Sequence, residues 1–376
     1  MTLRALLQRS SLVILGLAVG FALAELAVRT LTRFGETSPP IFRPSSIMPW
    51  QLEPAADAMH SGYWGEYRVP IRINSLGYRD REFSLGRQPG TCRILALGDS
   101  FTFGWGVREE ETYSTLLEAD LNARAAGARV EIINAGYASG YAPDTALVYF
   151  RTQGFRLRPQ IVLLGFFEGN DVSDELYTAW PTTDEEGWPT RVATDLYYID
   201  TVGRLRTAGW IGMGGAFVSD HRVLAAAKLA VRDHSQFANF LIQRYRMLTL
   251  PAHQPVPENL PAPLPLEHHR AELKARRSLD GLRAWTKRSG ADLVVLSIPF
   301  KGQTQASALL RSWADATQTP LVDLAQLGAG QADLYFARDA HWAAEGHRRA
   351  ARSIANALEP LDTVRSCLVG NGLASS

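Results

Sequence analysis

A chain of 376 residues, 46% of them hydrophobic, is long enough for one large α/β domain with appendages and can bury a substantial core. The formal net charge of +1, from 39 Lys and Arg against 38 Asp and Glu, leaves no basic excess to grip a phosphate backbone, so nucleic acid is not an expected partner. Two cysteines, Cys92 and Cys367, with no Cys-x-x-Cys, exclude a zinc ribbon and a redox dithiol.

Arg4 and Arg9 precede an uncharged run from Leu12 to Ala24, and extension to Leu31 makes a stretch of 20 residues that admits Glu25 and Arg29. At about 1.5 Å per residue such a helix just crosses a hydrocarbon layer of roughly 30 Å. Three readings stand: a retained transmembrane anchor with Glu25 at the interface, where a charge costs less than at the centre; a signal peptide cleaved after Ala22-Leu23-Ala24; and a buried core helix. The first two put the body outside the cytoplasm, although nearly equal flanking charges signal orientation only weakly. Residues 1–36 are therefore expected to form an anchor or signal segment. From Pro39 to Gly90 the chain is rich in Pro and aromatic residues, and Tyr67 to Asn74 alternates like a strand, which predicts a small β-containing collar over 37–90.

Beyond the collar, unbroken apolar runs of strand length occur at Ile94 to Leu97, Val130 to Ile133, Ile161 to Phe167, Leu293 to Ile298 and Leu321 to Leu324. Such runs belong to strands covered on both faces by helices. Glu110 to Asn122 and Ala271 to Lys287 carry apolar residues at helical spacing, and Gly290 marks a stop before the fourth strand. Five strands joined by helices predict a three-layer α/β/α sandwich around a doubly wound parallel five-stranded sheet, spanning 91–362, with a C-terminal tail over 363–376. A long insertion, 172–266, interrupts it after the third strand. It holds a Gly-rich patch from Gly203 to Gly215, read as turns, a helix expected from His221 to Met247, and a Pro-rich linker from Pro251 to Pro265. The patch lacks the Gly-Lys-Ser/Thr ending of a phosphate loop.

In a doubly wound sheet, ligands gather outside the carboxyl ends of the strands, where the loops after the first three strands converge. Gly98-Asp99-Ser100, Asn134-Ala135-Gly136 with Gly140, and Gly169-Asn170-Asp171 occupy those loops, and Asp339-Ala340-His341 follows the fifth strand. Acyl transfer needs a nucleophile, an oriented base, and donors aimed at the developing oxyanion. Ser100 is the candidate nucleophile, His341 its base and Asp339 the orienting carboxylate; the backbone N–H groups of Ser100 and Gly140 and the side-chain amide of Asn170 are the candidate oxyanion donors. Each has a bland rival. Asp99-Ser100 and Asn170-Asp171 suit helix caps, Gly136 and Gly140 suit turns, and His341 beside Trp342 suits packing. Gly-Asp-Ser alone arises by chance in roughly one chain in ten of this length, so the weight lies in the order of all four pieces at successive strand ends. Asp99 and Asp171 are read as loop-ordering residues.

Gly98-Asp99-Ser100-Phe101-Thr102-Phe103-Gly104 resembles the first block of the GDSL/SGNH hydrolase family. Asn134 to Gly140 resembles its second block, Gly169-Asn170-Asp171 its third, and Asp339-Ala340-His341-Trp342 with Glu345-Gly346-His347 its last, over about Arg93 to Leu358. The resemblance implies a flavodoxin-like sheet, ester substrates (lipids, small acyl groups or glycans) and no cofactor. Two departures matter. The second block is one residue longer than the commonest spacing, which favours Gly140 over Gly136 as donor. The last block has one residue between Asp and His where the best-known members have two, a spacing shared with related polysaccharide O-acetyltransferases. Acetyl transfer to a surface or secreted polysaccharide is thus the alternative to hydrolysis, and an inactive glycan-binding or assembly component is a third. The anchor followed by Glu25 and Arg29 is similar to membrane-tethered bacterial members, which favours an uncleaved helix.

Other chemistries lack their residues: there is no Gly-x-Ser-x-Gly elbow and no His-Glu-x-x-His, and His341 and His347, six apart, would sit on different faces of a helix, so no metal site is expected. His347 is expected to cap or pack within the last helix, whose Ala350, Ala351, Ile354, Ala355 and Leu358 would face the sheet. In the insertion Tyr177, Trp180, Trp188, Tyr197, Tyr198 and Trp210 either line a substrate site or build a small core of their own, and Trp105 is a candidate pocket wall. Cys92 opens the first strand at the edge away from the site, and the last helix should return there before the tail that holds Cys367, so the two could pair in an oxidising compartment.

Overall fold

The computed structural model describes residues 3–31, 38–62, 65–125, 129–138, 140–194, 197–200, 202–207, 235–249, 265–328 and 333–369. Each apolar run becomes a strand: β5 (Thr91–Gly98), β6 (Arg129–Gly136), β7 (Ile161–Phe167), β12 (Asp292–Ile298) and β13 (Leu321–Asp323). They pair in parallel in the order β13-β12-β7-β5-β6, which by first use is 2-1-3-4-5, the flavodoxin-like winding. Side chains alternate between two cores, as the two-residue period of a strand requires. Leu95, Leu97, Val162 and Leu164 face α4 (Pro143–Thr152), α7 (Pro265–Arg288) and α8 (Ala308–Thr317). Ile94, Ala96, Leu163 and Leu296 face α3 (Tyr113–Arg124), α9 (Ala344–Leu358) and α10 (Asp362–Leu368).

The expected helix over 110–122 begins instead at Tyr113, because Glu109–Glu111 form a short 3-10 turn and Thr112 supplies the cap, accepting from the N–H of Thr115. The expected tail is helical through Leu368, because Val364, Cys367 and Leu368 share one buried face against the sheet. Cys367 there forms a disulfide with Cys92, with Cα atoms 5.2 Å apart.

The collar contains the pairs β1 (Phe42–Arg43) with β2 (Gln51–Leu52) and β3 (Asp57–Ser61) with β4 (Arg68–Arg72). Its Ile41, Met48, Trp50 and Ile71 are buried in the same core as α4, so the collar is packed into the sandwich. In the insertion, β8 (Thr178–Thr183) pairs with β9 (Pro189–Thr194) and β10 (Tyr197–Ile199) with β11 (Leu205–Thr207). Helix α6 (Gln236–Thr249) covers the second half of the helix expected from His221 to Met247; residues 221–234, the Gly patch beyond 207 and most of the Pro-rich linker lie outside the described residues.

Helix α1 (Leu3–Leu31) leaves Leu12, Ile14 and Leu17 about two-thirds exposed, so it is not a buried core helix. Its segment Gln8–Thr30 is long and apolar enough to cross a membrane. Near its end, Glu25 accepts from the Ser235 hydroxyl at 2.8 Å and from the backbone N–H groups of Gln236 and Phe237 at 2.8 and 2.9 Å, capping α6, while Phe21 meets Phe237 edge-on.

Candidate active site

Strand β5 delivers Ser100. Its last residue, Gly98, leads to Asp99, whose carboxylate accepts from the N–H of Phe101 at 3.0 Å and caps the four-residue helix α2 (Ser100–Phe103). Asp99 therefore does the capping; its second carboxylate oxygen lies 3.5 Å from the Ser100 hydroxyl, which has a closer partner. That partner is His341: its Nε2 lies 2.7 Å from Ser100 Oγ, and its Nδ1 lies 2.5 Å from Asp339 Oδ1. The same carboxylate oxygen accepts the backbone N–H of His341 at 3.0 Å. Residues 241 positions apart in the chain thus form one hydrogen-bonded series at the carboxyl edge of the sheet.

Burial alone would raise the Asp339 pKa. The charge on His341 and the hydrogen bonds from His341 and Tyr67 outweigh it and hold the carboxyl down at about 2. A carboxylate that stays ionised accepts the imidazole N–H and can stabilise an imidazolium.

Loops after the next two strands bring Gly140 and Asn170. Gly140 has φ +69°, and a Cβ there would lie 2.9 Å from the Tyr197 ring and 3.1 Å from Trp50, so the position demands glycine. Gly136 serves a different end: a Cβ on it would lie 2.3 Å from the backbone nitrogen of Phe103, so it lets β6 press against α2. Asn170 stands at the N-cap of α5 (Asp171–Asp174) yet makes no side-chain capping bond, and its buried Oδ1 has no hydrogen-bond partner among the described residues. Asp171 Oδ2 accepts from the N–H of Phe167 at 3.1 Å; burial, and then the neighbouring Asp99, push its pKa well above the carboxylate range. Both aspartates order loops, as read from the sequence.

Trp105 is half buried, its ring centroid 3.9 Å from that of His60 and 6.3 Å from that of His341. His347 lies inside the helical layer: its Nδ1 accepts from the N–H of Tyr113 at 3.2 Å. Burial, with the charges of Arg79 and His341, drives its pKa down to about 3, so it is a neutral packed histidine. Among the described aromatic residues of the insertion, Trp180 and Tyr197 pack against the core. Trp180 donates to Asp144 at 2.9 Å, Trp180 and Trp188 lie against Arg277, and Tyr197 packs on Trp50. The side chains of Tyr198 and Trp210 lie outside the described residues. Among the described residues no three metal-ligating side chains converge.

Sequence reasoning missed the collar's share. The Tyr67 hydroxyl donates to Asp339 Oδ2 at 3.0 Å, the Glu66 carboxylate accepts the N–H groups of Arg338 and Asp339 at 2.9 and 3.0 Å, and Arg79 donates to the carbonyls of Phe103, Gly104 and Val107. No spacing or motif marks these residues, whose partners are up to 273 positions away.

No family model and no curated protein matches this chain. Among solved structures it is similar to a lipase/acylhydrolase from Enterococcus faecalis (12% identity, 71% of this chain and 95% of that one, TM-score 0.38). It is also similar to a GDSL-like lipase from Bacteroides thetaiotaomicron (11%, 74% and 92%, 0.37) and to the psychrotrophic esterase EstA from Pseudoalteromonas (13%, 71% and 97%, 0.39). At TM-scores this low, none of these likenesses bears on what the site does.

Proposed function

We propose that the chain is a serine ester hydrolase of GDSL/SGNH type that acts outside the cytoplasm on an acyl or acetyl ester of a lipid, small molecule or glycan. The observation that carries this reading is the unbroken series Ser100 Oγ, His341 Nε2, His341 Nδ1, Asp339 Oδ1. Ser100 Oγ adds to the ester carbonyl as His341 Nε2 takes its proton. The N–H groups of Ser100 and Gly140 and the Asn170 amide hold the resulting oxyanion, and the amide's freedom from capping supports that assignment. Collapse of the adduct breaks the ester C–O bond, and the alcohol leaves with the proton from His341. Water then attacks the acyl-serine, again giving its proton to His341, and the acid departs as Ser100 recovers its hydrogen.

The disulfide between Cys92 and Cys367 supports an oxidising compartment, and the apolar helix α1 supports a membrane tether. Phe21, which lies before the candidate cleavage site and meets Phe237 of α6 edge-on, supports the retained helix over the cleaved signal. The test is turnover of p-nitrophenyl acetate, then a panel of short and long acyl esters and acetylated glycans. The wild type hydrolyses esters and Ser100→Ala does not; equal turnover in both contradicts the proposal. In acetyl transfer a sugar hydroxyl replaces water. The single residue between Asp339 and His341 favours that second reading, and acetyl appearing on a polysaccharide supplied with a donor ester would select it.

A further inference from the structure

The tip of the loop that carries Asp339 and His341 is tied to the collar. Its base is closed by the N–H of Phe336 on the carbonyl of His341 (3.1 Å) and the N–H of Ala343 on that of Leu334 (2.9 Å). Between them, the N–H groups of Arg338 and Asp339 both end on one carboxylate, that of Glu66. The adjacent Tyr67 is buried, its ring 4.7 Å from Phe336 and 5.1 Å from His60, and its hydroxyl donates to the Asp339 oxygen that His341 does not use. Consecutive collar residues thus hold the backbone and the side chain of Asp339.

We infer that Tyr67 is a positioning residue for catalysis, which with Glu66 aims the Asp339 carboxylate at His341; the inference rests on the reading of Ser100, His341 and Asp339 as a catalytic series. Two consequences follow from the geometry. With its second oxygen engaged by Tyr67, Asp339 cannot rotate about its terminal torsion without breaking a buried hydrogen bond. The phenol also draws negative charge toward Oδ2, so losing it concentrates charge on the oxygen facing His341 and steadies the imidazolium. The charged and titratable groups facing this pair are Glu66 and His60 from the collar, Asp99 beside Ser100, and His347 from α9.

The experiment compares pH profiles of ester turnover for the wild type, Tyr67→Phe, Glu66→Gln and Ser100→Ala, with an unfolding midpoint for each. Tyr67→Phe keeps the ring, lowers the unfolding midpoint by only a few degrees for the lost buried hydrogen bond, lowers kcat on the order of tenfold with KM within about twofold, and moves the acid limb to higher pH by about half a unit. Glu66→Gln, at a half-buried position the fold tolerates, also lowers kcat, but removes a negative charge beside the pair and moves the limb the other way. Opposite limb shifts identify positioning, which a purely structural role would not produce. Wild-type kcat and unmoved limbs in both variants, with Ser100→Ala inactive, overturn the role of Tyr67 alone. Wild-type turnover in Ser100→Ala overturns that role together with the reading beneath it. Should Tyr67→Phe fail to fold, 3-fluorotyrosine at position 67, whose more acidic phenol keeps the ring and the hydrogen bond, decides: a limb moved to lower pH supports the role and an unmoved limb overturns it.

Discussion

The Asn170 side chain occupies a capping position without capping anything, so its removal separates chemistry from stability. Asn170→Ala is expected to lower kcat on the order of 100-fold, the usual cost of one oxyanion donor, while the unfolding midpoint stays put. An unchanged kcat would take Asn170 out of the site. Activity should also decline on the acid side as pH falls through the imidazole range, because Asp339, held at about 2, remains ionised there and only the base takes up a proton. A flat profile down to pH 4 would contradict the assignment of His341. At this scale the candidates Ser100, Gly140, Asn170, Asp339 and His341 were legible because each follows a strand end in the order acyl-transfer chemistry needs. Tyr67, Glu66 and Arg79 were not, since they act through tertiary placement: the alternation from Tyr67 to Asn74 marks a strand but not what its neighbours reach.

Strands were the most legible elements, because a sheet covered on both faces writes itself as unbroken apolar runs; Ile161–Phe167 has the same bounds in the sequence reading and in the fold. Helix α10 was read as tail because seven residues give too little periodicity to distinguish it. Packing of α9 against α3 makes its own prediction. His347 is neutral in the fold down to about pH 3, whereas an unfolded histidine protonates near 6.5. Between those values the unfolded chain binds the extra proton, so folding stability is lost as pH falls through the window, by at most about 1.4 kcal/mol per pH unit. His347→Gln, whose amide oxygen can still accept from Tyr113, should flatten that slope in chemical denaturation at pH 7 and pH 5; parallel slopes would refute it. The disulfide closes a separation of 275 residues and joins the end of β5 opposite to Ser100, about 20 Å away at the usual strand rise. Reduction should therefore cost about 2–4 kcal/mol of stability yet leave turnover at 25 °C intact. Thiol titration of unreduced, denatured protein should find no free sulfhydryl, and two after reduction.

For the whole molecule, specific contacts join α1 to the insertion and the collar to the layer that carries the candidate site. Glu25 joins α1 to α6, and Glu66, Tyr67 and Arg79 join the collar to both sides of the candidate site. The retained-helix proposal predicts that the protein stays with the membrane after alkaline carbonate extraction and that mass spectrometry recovers peptides spanning Ala24 and Glu25. A mature chain beginning at Glu25 would contradict it. The central claim, that Ser100 is the nucleophile of a Ser-His-Asp series, is tested most directly by peptide mapping after reaction with a fluorophosphonate. The expected result is a single adduct on Ser100, formed far more slowly in His341→Ala. An adduct on another residue, or full turnover by a protein whose Ser100 stays unmodified, would contradict it.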